Sequence, residues 1–343
     1  MTGVATPPPP PQATVMQMMM SAWAAQTISA VTRLDVPDIL QAHGPLTARQ
    51  LTESHGVDAR PELLERALRA CASVGVFTEG ADGRFGPTPL SATLTLGSPV
   101  SVKRFVELIG GGWWTTFAGL PEALRQGQPR AVTRSVETPP ADPMHTQRFA
   151  EAMKSRVEST RGVLEHGDFL RARTVVDVGG GLGHLAIALL SRYPHLRASV
   201  LDLPEVIAIA ERHAAAEDPS VRERLSFVAG DMFADVPEGD TYVLKTIIHD
   251  WDDASCVRVL KNCHARLPGD GRILCVDKVL PTMGDTSASS AKLLDMLMLV
   301  SLPGKERTEA EWRALYAEAG LRVASITRIE ARSGESIVEG VRD

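Results

Sequence analysis

Cysteine is scarce in this chain: Cys71, Cys256, Cys263 and Cys275 are the four present, and no two of them form a C-x-x-C pair or another metal-ligand spacing. A cysteine-built zinc or redox motif is excluded, and scattered thiols suit a structural role in a reducing cytosol. Positive charge is not in excess either. Thirty-six basic side chains against 42 acidic ones leave a net charge of −6, the opposite of what binding through phosphate neutralisation needs. No apolar run reaches the roughly 18 residues of a membrane helix. The N-terminus lacks the basic start and cleavage pattern of a secretory signal. These absences give the expectation of a cytoplasmic protein with neither nucleic acid nor membrane as partner.

What is present is the composition of a soluble globular protein, 44% hydrophobic and 23% charged over 343 residues, long enough for two domains. The prolines at 7–11 form a polyproline run, so residues 1–13 are expected to be an exposed, disordered lead-in. Met16, Met18, Met19 and Met20 are expected to be adaptable packing residues on the first helix. Residues 14–100 read as a winged helix. Thr47 is an N-cap candidate, Gly56 ends that helix, and Pro61 suits the first turn of the next, where Leu64, Ala67, Leu68 and Cys71 share a face. Asp82-Gly83 marks a tight turn between two short strands. Between residues 46 and 96 five arginines face six acidic residues, so a packing or dimerising module is expected rather than a DNA binder. Residues 101–165 read as a helical linker and substrate-pocket segment, interrupted at Gly110-Gly111-Gly112 and carrying Trp113, Trp114, Phe117, Phe149 and Met153. Those bulky groups serve either an interdomain core or a pocket for a flat aromatic ligand. Phe149 and Met153, four apart, share one helix face.

In the last segment, residues 166–343, the pattern changes. Apolar runs at 174–178, 198–203, 225–229, 241–248 and 272–279 alternate with helical segments near 184–192, 204–216, 253–266 and 289–300. Such alternation predicts an α/β fold, a mostly parallel Rossmann-like sheet with helices on both faces. A last helix near 308–319 precedes runs at 321–329 and 335–341, expected to close the sheet as an antiparallel hairpin.

Ligands of such sheets bind beyond the C-terminal strand ends. The first strand runs into D-x-G-x-G-x-G through Asp177, Gly179, Gly181 and Gly183. His184 occupies the third glycine of the dinucleotide fingerprint, and a carboxylate at the head of the turn repels a pyrophosphate. An ammonium-bearing ligand without phosphate, namely S-adenosylmethionine, suits it better. The second strand ends in Asp202-Leu203, where an acid accepts from ribose hydroxyls; the third ends in Gly230-Asp231-Met232, a carboxylate and a thioether for an adenine edge. Each acid alone reads equally as a turn residue or helix N-cap. The fourth run leads to His249, a base titrating near neutral pH, ahead of Asp250, Asp252 and Asp253. The last two suit a helix start better than metal ligation.

With DVGGGLGH, LDLPEVI, GDMF, LKTIIHDWDD, ILCVDKVLP and PGKERT in this order, the chain resembles the S-adenosylmethionine-dependent O-methyltransferases that act on small aromatic hydroxyls, from about residue 15 to 341. The group spans plant-type caffeate and isoflavone enzymes and bacterial enzymes that tailor polyketides and phenazines. The resemblance implies a class I methyltransferase sheet, a winged-helix domain that makes a homodimer and closes the partner's pocket, and no metal. It implies that Asp202 binds the cofactor ribose, and that Asp231 and Met232 bracket the adenine with Trp251 on the other side. It implies Lys245 near the cofactor's amino-acid end, with Gly179 and Gly181 allowing close approach. His249 matches the family's general base, with Asp277 and Glu306 as its acidic companions. The first companion is usually glutamate; aspartate here shortens the reach by one methylene.

A phenol with a pKa near 10 is mostly protonated at neutral pH, so a base within hydrogen-bond reach speeds its attack on a sulfonium methyl. The expected substrate is a hydroxylated aromatic secondary metabolite such as a phenazine or polyketide, in a pocket lined by Trp113, Phe149, Met153, Asp250 and Met298. N-methylation, a cofactor-retaining decarboxylase or hydroxylase, and a winged-helix regulator stand as alternatives.

Overall fold

The computed structural model describes residues 9–127, 157–286, 289–329 and 334–343, in two compact units, Met1–Trp114 and Thr115–Asp343. In the first unit, α1 (Pro11–Arg33) has a proline in its first turn, where the missing N–H costs no hydrogen bond. Residues 11–13 of the expected lead-in are therefore helical. α2 (Val36–His43), α3 (Ala48–Glu53) and α4 (Pro61–Ser73) follow, then a hairpin of β1 (Phe77–Glu79) and β2 (Phe85–Pro87). Thr47 caps α3: its hydroxyl accepts from the Gln50 N–H at 3.2 Å, and the Gln50 side chain accepts from the Thr47 N–H at 3.0 Å. Leu64, Leu68 and Cys71 are buried with Leu40, Leu51, Phe77 and Phe85, each large side chain contributing about 1.5–3 kcal/mol by leaving water. Gly83 takes the hairpin turn at φ 75°, and Leu46 bridges to Phe85 across the wing.

One expectation in this unit changes. Met16, Met18, Met19 and Met20 are 51–68% exposed within the chain, because the core is closed by Ile28 and Val31 of the later turns of α1. The glycine run at 110–112 interrupts the helical segment as expected: the helix Lys103–Leu108 runs into a wide turn, Ile109–Trp113, kinked at Gly111 with φ −103°, ψ −114°. Gly110 lies against Ser29 of α1 so closely that a Cβ would come within 2.1 Å of the hydroxyl.

The second unit holds an eight-stranded sheet among the described residues, in the order β5-β4-β3-β6-β7-β10-β9 with β8 beside β7. The strands are β3 (Thr174–Val178), β4 (Arg197–Asp202), β5 (Leu225–Ala229), β6 (Thr241–Lys245), β7 (Arg272–Leu280), β8 (Arg307–Thr308), β9 (Leu321–Arg328) and β10 (Glu335–Arg342). β3 to β7 are parallel, and β10 runs antiparallel to both β7 and β9. The alternation of side chains builds one core on each face: Val176, Tyr242, Leu244 and Cys275 on one, Val175, Val243, Leu274 and Val276 on the other. The chain runs outward from β3 through β4 to β5 and returns to β6 on the other side of β3. That makes the β3–β6 boundary the switch point, where a crevice opens beyond the strand ends.

The strand expected over 241–248 stops at Lys245. Thr246 enters the left-handed region at φ 57° while its N–H still donates to the Val276 carbonyl at 2.9 Å. The chain then turns through a short 3₁₀ segment, Ile248–Asp250, which carries His249. No helix among the described residues is long and apolar enough to cross a membrane.

Candidate active site

The C-terminal strand ends bring the glycine turn, Asp202, Asp231 and Lys245 to one edge of the sheet. The turn after β3 is tied to β4 through the Gly179 N–H and the Leu201 carbonyl at 2.8 Å. Gly179 adopts φ +68°, and a Cβ there would sit 2.4 Å from Ile247 Cδ1. Gly181 adopts φ +59° with nothing within 4 Å of the place a Cβ would take, so its backbone faces open space. Asp202 accepts the Gly181 N–H on Oδ2 and the Leu203 N–H on Oδ1, each at 2.8 Å. Its carboxylate thus braces the turn at the next strand end. Asp177 is 2% exposed and its Oδ2 has no hydrogen-bond partner among the described residues. Burial pushes this carboxyl up to about 7, against the pull of Lys245. A buried acid short of one donor, an open glycine and a second acid at the strand end fit a ligand with a cationic end and a ribose.

Asp231 lies just past β5, where its Oδ1 accepts the Phe233 N–H at 2.9 Å and closes the turn. The Met232 side chain packs at the edge of the core, and its carbonyl accepts from Asn262 Nδ2 at 2.8 Å. Trp251 meets Phe233 edge-on with ring centroids 4.7 Å apart.

The second cluster centres on His249, 6% exposed. Its Nδ1 lies 2.9 Å from Glu306 Oε1 in a buried hydrogen bond. Asp277 Oδ1 is 3.7 Å from the same nitrogen, and Asp250 Oδ1 is 3.4 Å from Nε2. The aspartate at 277 contributes charge without a hydrogen bond to the ring, as the shorter side chain dictates. Neither Asp277 oxygen has a hydrogen-bond partner among the described residues. Burial pushes the Asp277 carboxyl up to about 7, and His249 pulls it back. For His249 burial works downward, but Asp277, Glu306 and Asp250 outweigh it and raise the imidazole to about 9. Because Glu306 accepts at Nδ1, the neutral ring carries its proton there and offers the Nε2 lone pair.

The structure brings together His249, Asp250, Asp277 and Glu306. Trp113 belongs to the first unit, where its ring meets Phe105 edge-on at 5.5 Å. Met298 is 5% exposed in the helix Ser289–Ser301. Phe149 and Met153 lie outside the described residues. Asp252 caps the helix Asp253–Arg266 by accepting the Ser255 N–H at 2.8 Å.

Three supports escaped the reading of the sequence. Asp295 Oδ1 accepts the Glu306 N–H at 2.9 Å. Gly304 packs flat on the histidine turn, where a Cβ would lie 2.0 Å from the His249 carbonyl oxygen. Arg307, 1% exposed, donates to the carbonyls of Ile248 and Trp251. The run Gly304–Arg307 beside Glu306 was the available signal.

Residues 117–322 match the O-methyltransferase domain family, and residues 16–97 match the O-methyltransferase dimerisation domain. The phenazine O-methyltransferase PhzM of Lysobacter antibioticus is 33% identical over 327 residues, covering 92% of each chain. Among solved structures, LaPhzM superposes with a TM-score of 0.90 at 32% identity, covering 98% of this chain and 100% of that one. The O-methyltransferase NcsB1 from neocarzinostatin biosynthesis, solved with S-adenosyl-L-homocysteine and 1,4-dihydroxy-2-naphthoic acid, gives a TM-score of 0.78 at 30% identity, covering 93% and 96%. With a matching domain in each unit and relatives alike along nearly their whole length, this chain belongs to the O-methyltransferase family.

Proposed function

We propose that this enzyme acts as a homodimer and transfers a methyl group from S-adenosylmethionine to a phenolic hydroxyl of an aromatic secondary metabolite, with His249 as general base. The observation that carries the reading is the buried Glu306–His249 pair at 2.9 Å. It fixes the tautomer that leaves Nε2 free to take a proton. Asp277 and Glu306 then stabilise the imidazolium as it forms, the role an acid plays behind a catalytic histidine.

When bound, S-adenosylmethionine supplies a methyl group on a positively charged sulfur. Asp202 would hold its ribose and Asp177 and Lys245 its amino-acid end, while the Gly179 and Gly181 backbone permits close approach. Asp231, Met232 and Trp251 would enclose its adenine. Once the imidazole is itself deprotonated, a phenol gives up its proton to Nε2 as its oxygen attacks, which spares the cost of a free phenolate. Holding acceptor and donor in line supplies much of the remaining acceleration. A hydroxylated bicyclic or tricyclic aromatic is the favoured acceptor, since PhzM is named for a phenazine and NcsB1 is solved with a dihydroxynaphthoic acid.

The test is product mass spectrometry with isotopically labelled cofactor over a panel of monocyclic and tricyclic phenols, on wild type and His249→Ala. The variant is expected to bind the cofactor normally while methyl transfer falls by about 10²–10⁴-fold. Near-normal turnover by His249→Ala would sink the assigned role.

A further inference from the structure

We propose that Arg307 is a positioning residue for methyl transfer, a clamp on both ends of the turn that carries His249. The inference rests on the reading of His249 as the base. The guanidinium is fully enclosed, with 0% of its side chain exposed. Nη1 donates to the Ile248 carbonyl at 3.0 Å and the Lys305 carbonyl at 3.3 Å. Nη2 donates to the Trp251 carbonyl at 2.8 Å, and meets Cys256 Sγ at 3.4 Å. Nε and Nη2 both donate to Asp253 Oδ1, at 2.9 and 2.7 Å, which fixes the plane of the fork. The Ile248 and Trp251 carbonyls bracket His249 and Asp250, so the charge grips the backbone immediately before the base and at Trp251, the proposed wall of the adenine site.

Chain neighbours complete the grip. Glu306 holds the imidazole at Nδ1, and Gly304 lies flush against the peptide from His249 to Trp251. Three residues within one four-residue stretch therefore bear on one turn: a glycine on its backbone, an acid on its ring and an arginine on its carbonyls. A rigid planar fork can serve two carbonyls and a carboxylate together, whereas a lysine ammonium is a compact point charge that cannot span them. The groups that face the histidine are Asp250 on its own turn, Asp277 on β7 and Glu306 ahead of β8. Behind them stand Glu335 of β10, whose charge acts on Asp277, and Asp295 of the helix Ser289–Ser301, which binds the Glu306 N–H. The raised affinity of His249 for a proton depends on the distances to these acids, and Arg307 holds those distances.

The test compares wild type, Arg307→Lys, Asp253→Asn and His249→Gln by kcat, cofactor affinity, the pH profile of kcat/KM and Tm. For Arg307→Lys the clamp predicts kcat reduced about 10²-fold by a slightly misplaced base, and cofactor binding weakened on the order of tenfold through Trp251. The acid limb of the profile should move toward lower pH as the imidazole slips from its carboxylates. Asp253→Asn removes the charge of an exposed acid (side chain 56% exposed) but keeps an acceptor oxygen for the fork, so it loosens the clamp and should give the same directions with smaller size. It keeps the test open if the lysine variant does not fold. A lowered Tm with unchanged kcat, cofactor affinity and acid limb in the folded variants would overturn the clamp. Retained turnover in His249→Gln would instead overturn the base reading, and the two failures are separable.

Discussion

At the scale of single residues, the chemistry turns on how three carboxylates set one imidazole. Burial alone would make His249 a weak, neutral base, yet Asp277, Glu306 and Asp250 raise it to about 9. A base raised in this way is charged below about 9 and becomes available as pH rises through that value. The acid limb of kcat/KM should therefore sit well above the ordinary imidazole value of about 6.5. Glu306→Gln keeps an acceptor oxygen for Nδ1 and removes only the charge, so less holds the proton on the ring. The limb should then move to lower pH by about one unit, while the plateau kcat falls about tenfold because the forming imidazolium loses a charge-assisted bond. A pH–rate series on the two proteins checks both; an unmoved limb would mean that Glu306 does not govern the proton. The histidine and its first companions were legible by type. Arg307 was not, because its partners other than Lys305 lie 51 to 59 residues away in sequence and nothing local marks which carbonyls a guanidinium will reach.

Among elements, period and punctuation carried most of the fold. The runs at 174–178 and 225–229 are β3 and β5 residue for residue, and the helix at 184–192 likewise matches, since both runs end directly at a glycine and the helix starts directly after one. The failure at 241–248 is instructive. Ile247 and Ile248 extend an apolar run that reads as strand, but Thr246 at φ 57° ends it, and Ile248 is buried in the core from a turn instead. Hydrophobicity reports burial, and only backbone geometry distinguishes a strand from a turn packed under a sheet edge. This junction also meets the glycine turn. Gly179→Ala forces a side chain into the left-handed region and against Ile247, the residue immediately before the histidine turn. The expected loss is about 1–3 kcal/mol of stability. Because Ile247 must yield, kcat should fall too. Denaturant unfolding and steady-state rates measure the two effects; stability unchanged within error would refute the crowding.

For the whole molecule, the open question is what covers the first half of α1. Val15, Met16, Met18, Met19, Met20 and Trp23 are 51–68% exposed within the chain, and they point around the helix rather than along one stripe. An exposed apolar face this broad marks a protein contact. Residues 16–97 match the O-methyltransferase dimerisation domain, so a second copy of this chain is the occupant that fits. Methionine suits such a surface because its flexible thioether adapts to a partner. None of the six side chains belongs to the buried core of its own unit, so charge placed there should leave that unit folded. Met19→Lys combined with Trp23→Glu is expected to convert the protein from dimer to monomer in light scattering after size exclusion, with the circular dichroism spectrum retained. The loss of a central aromatic anchor alone typically costs 2 kcal/mol or more in an interface, about thirtyfold in Kd, so Trp23→Ala should dissociate at measurably higher concentration than wild type. A double variant that remains dimeric would place the subunit contact elsewhere and leave the apolar half of α1 to another partner.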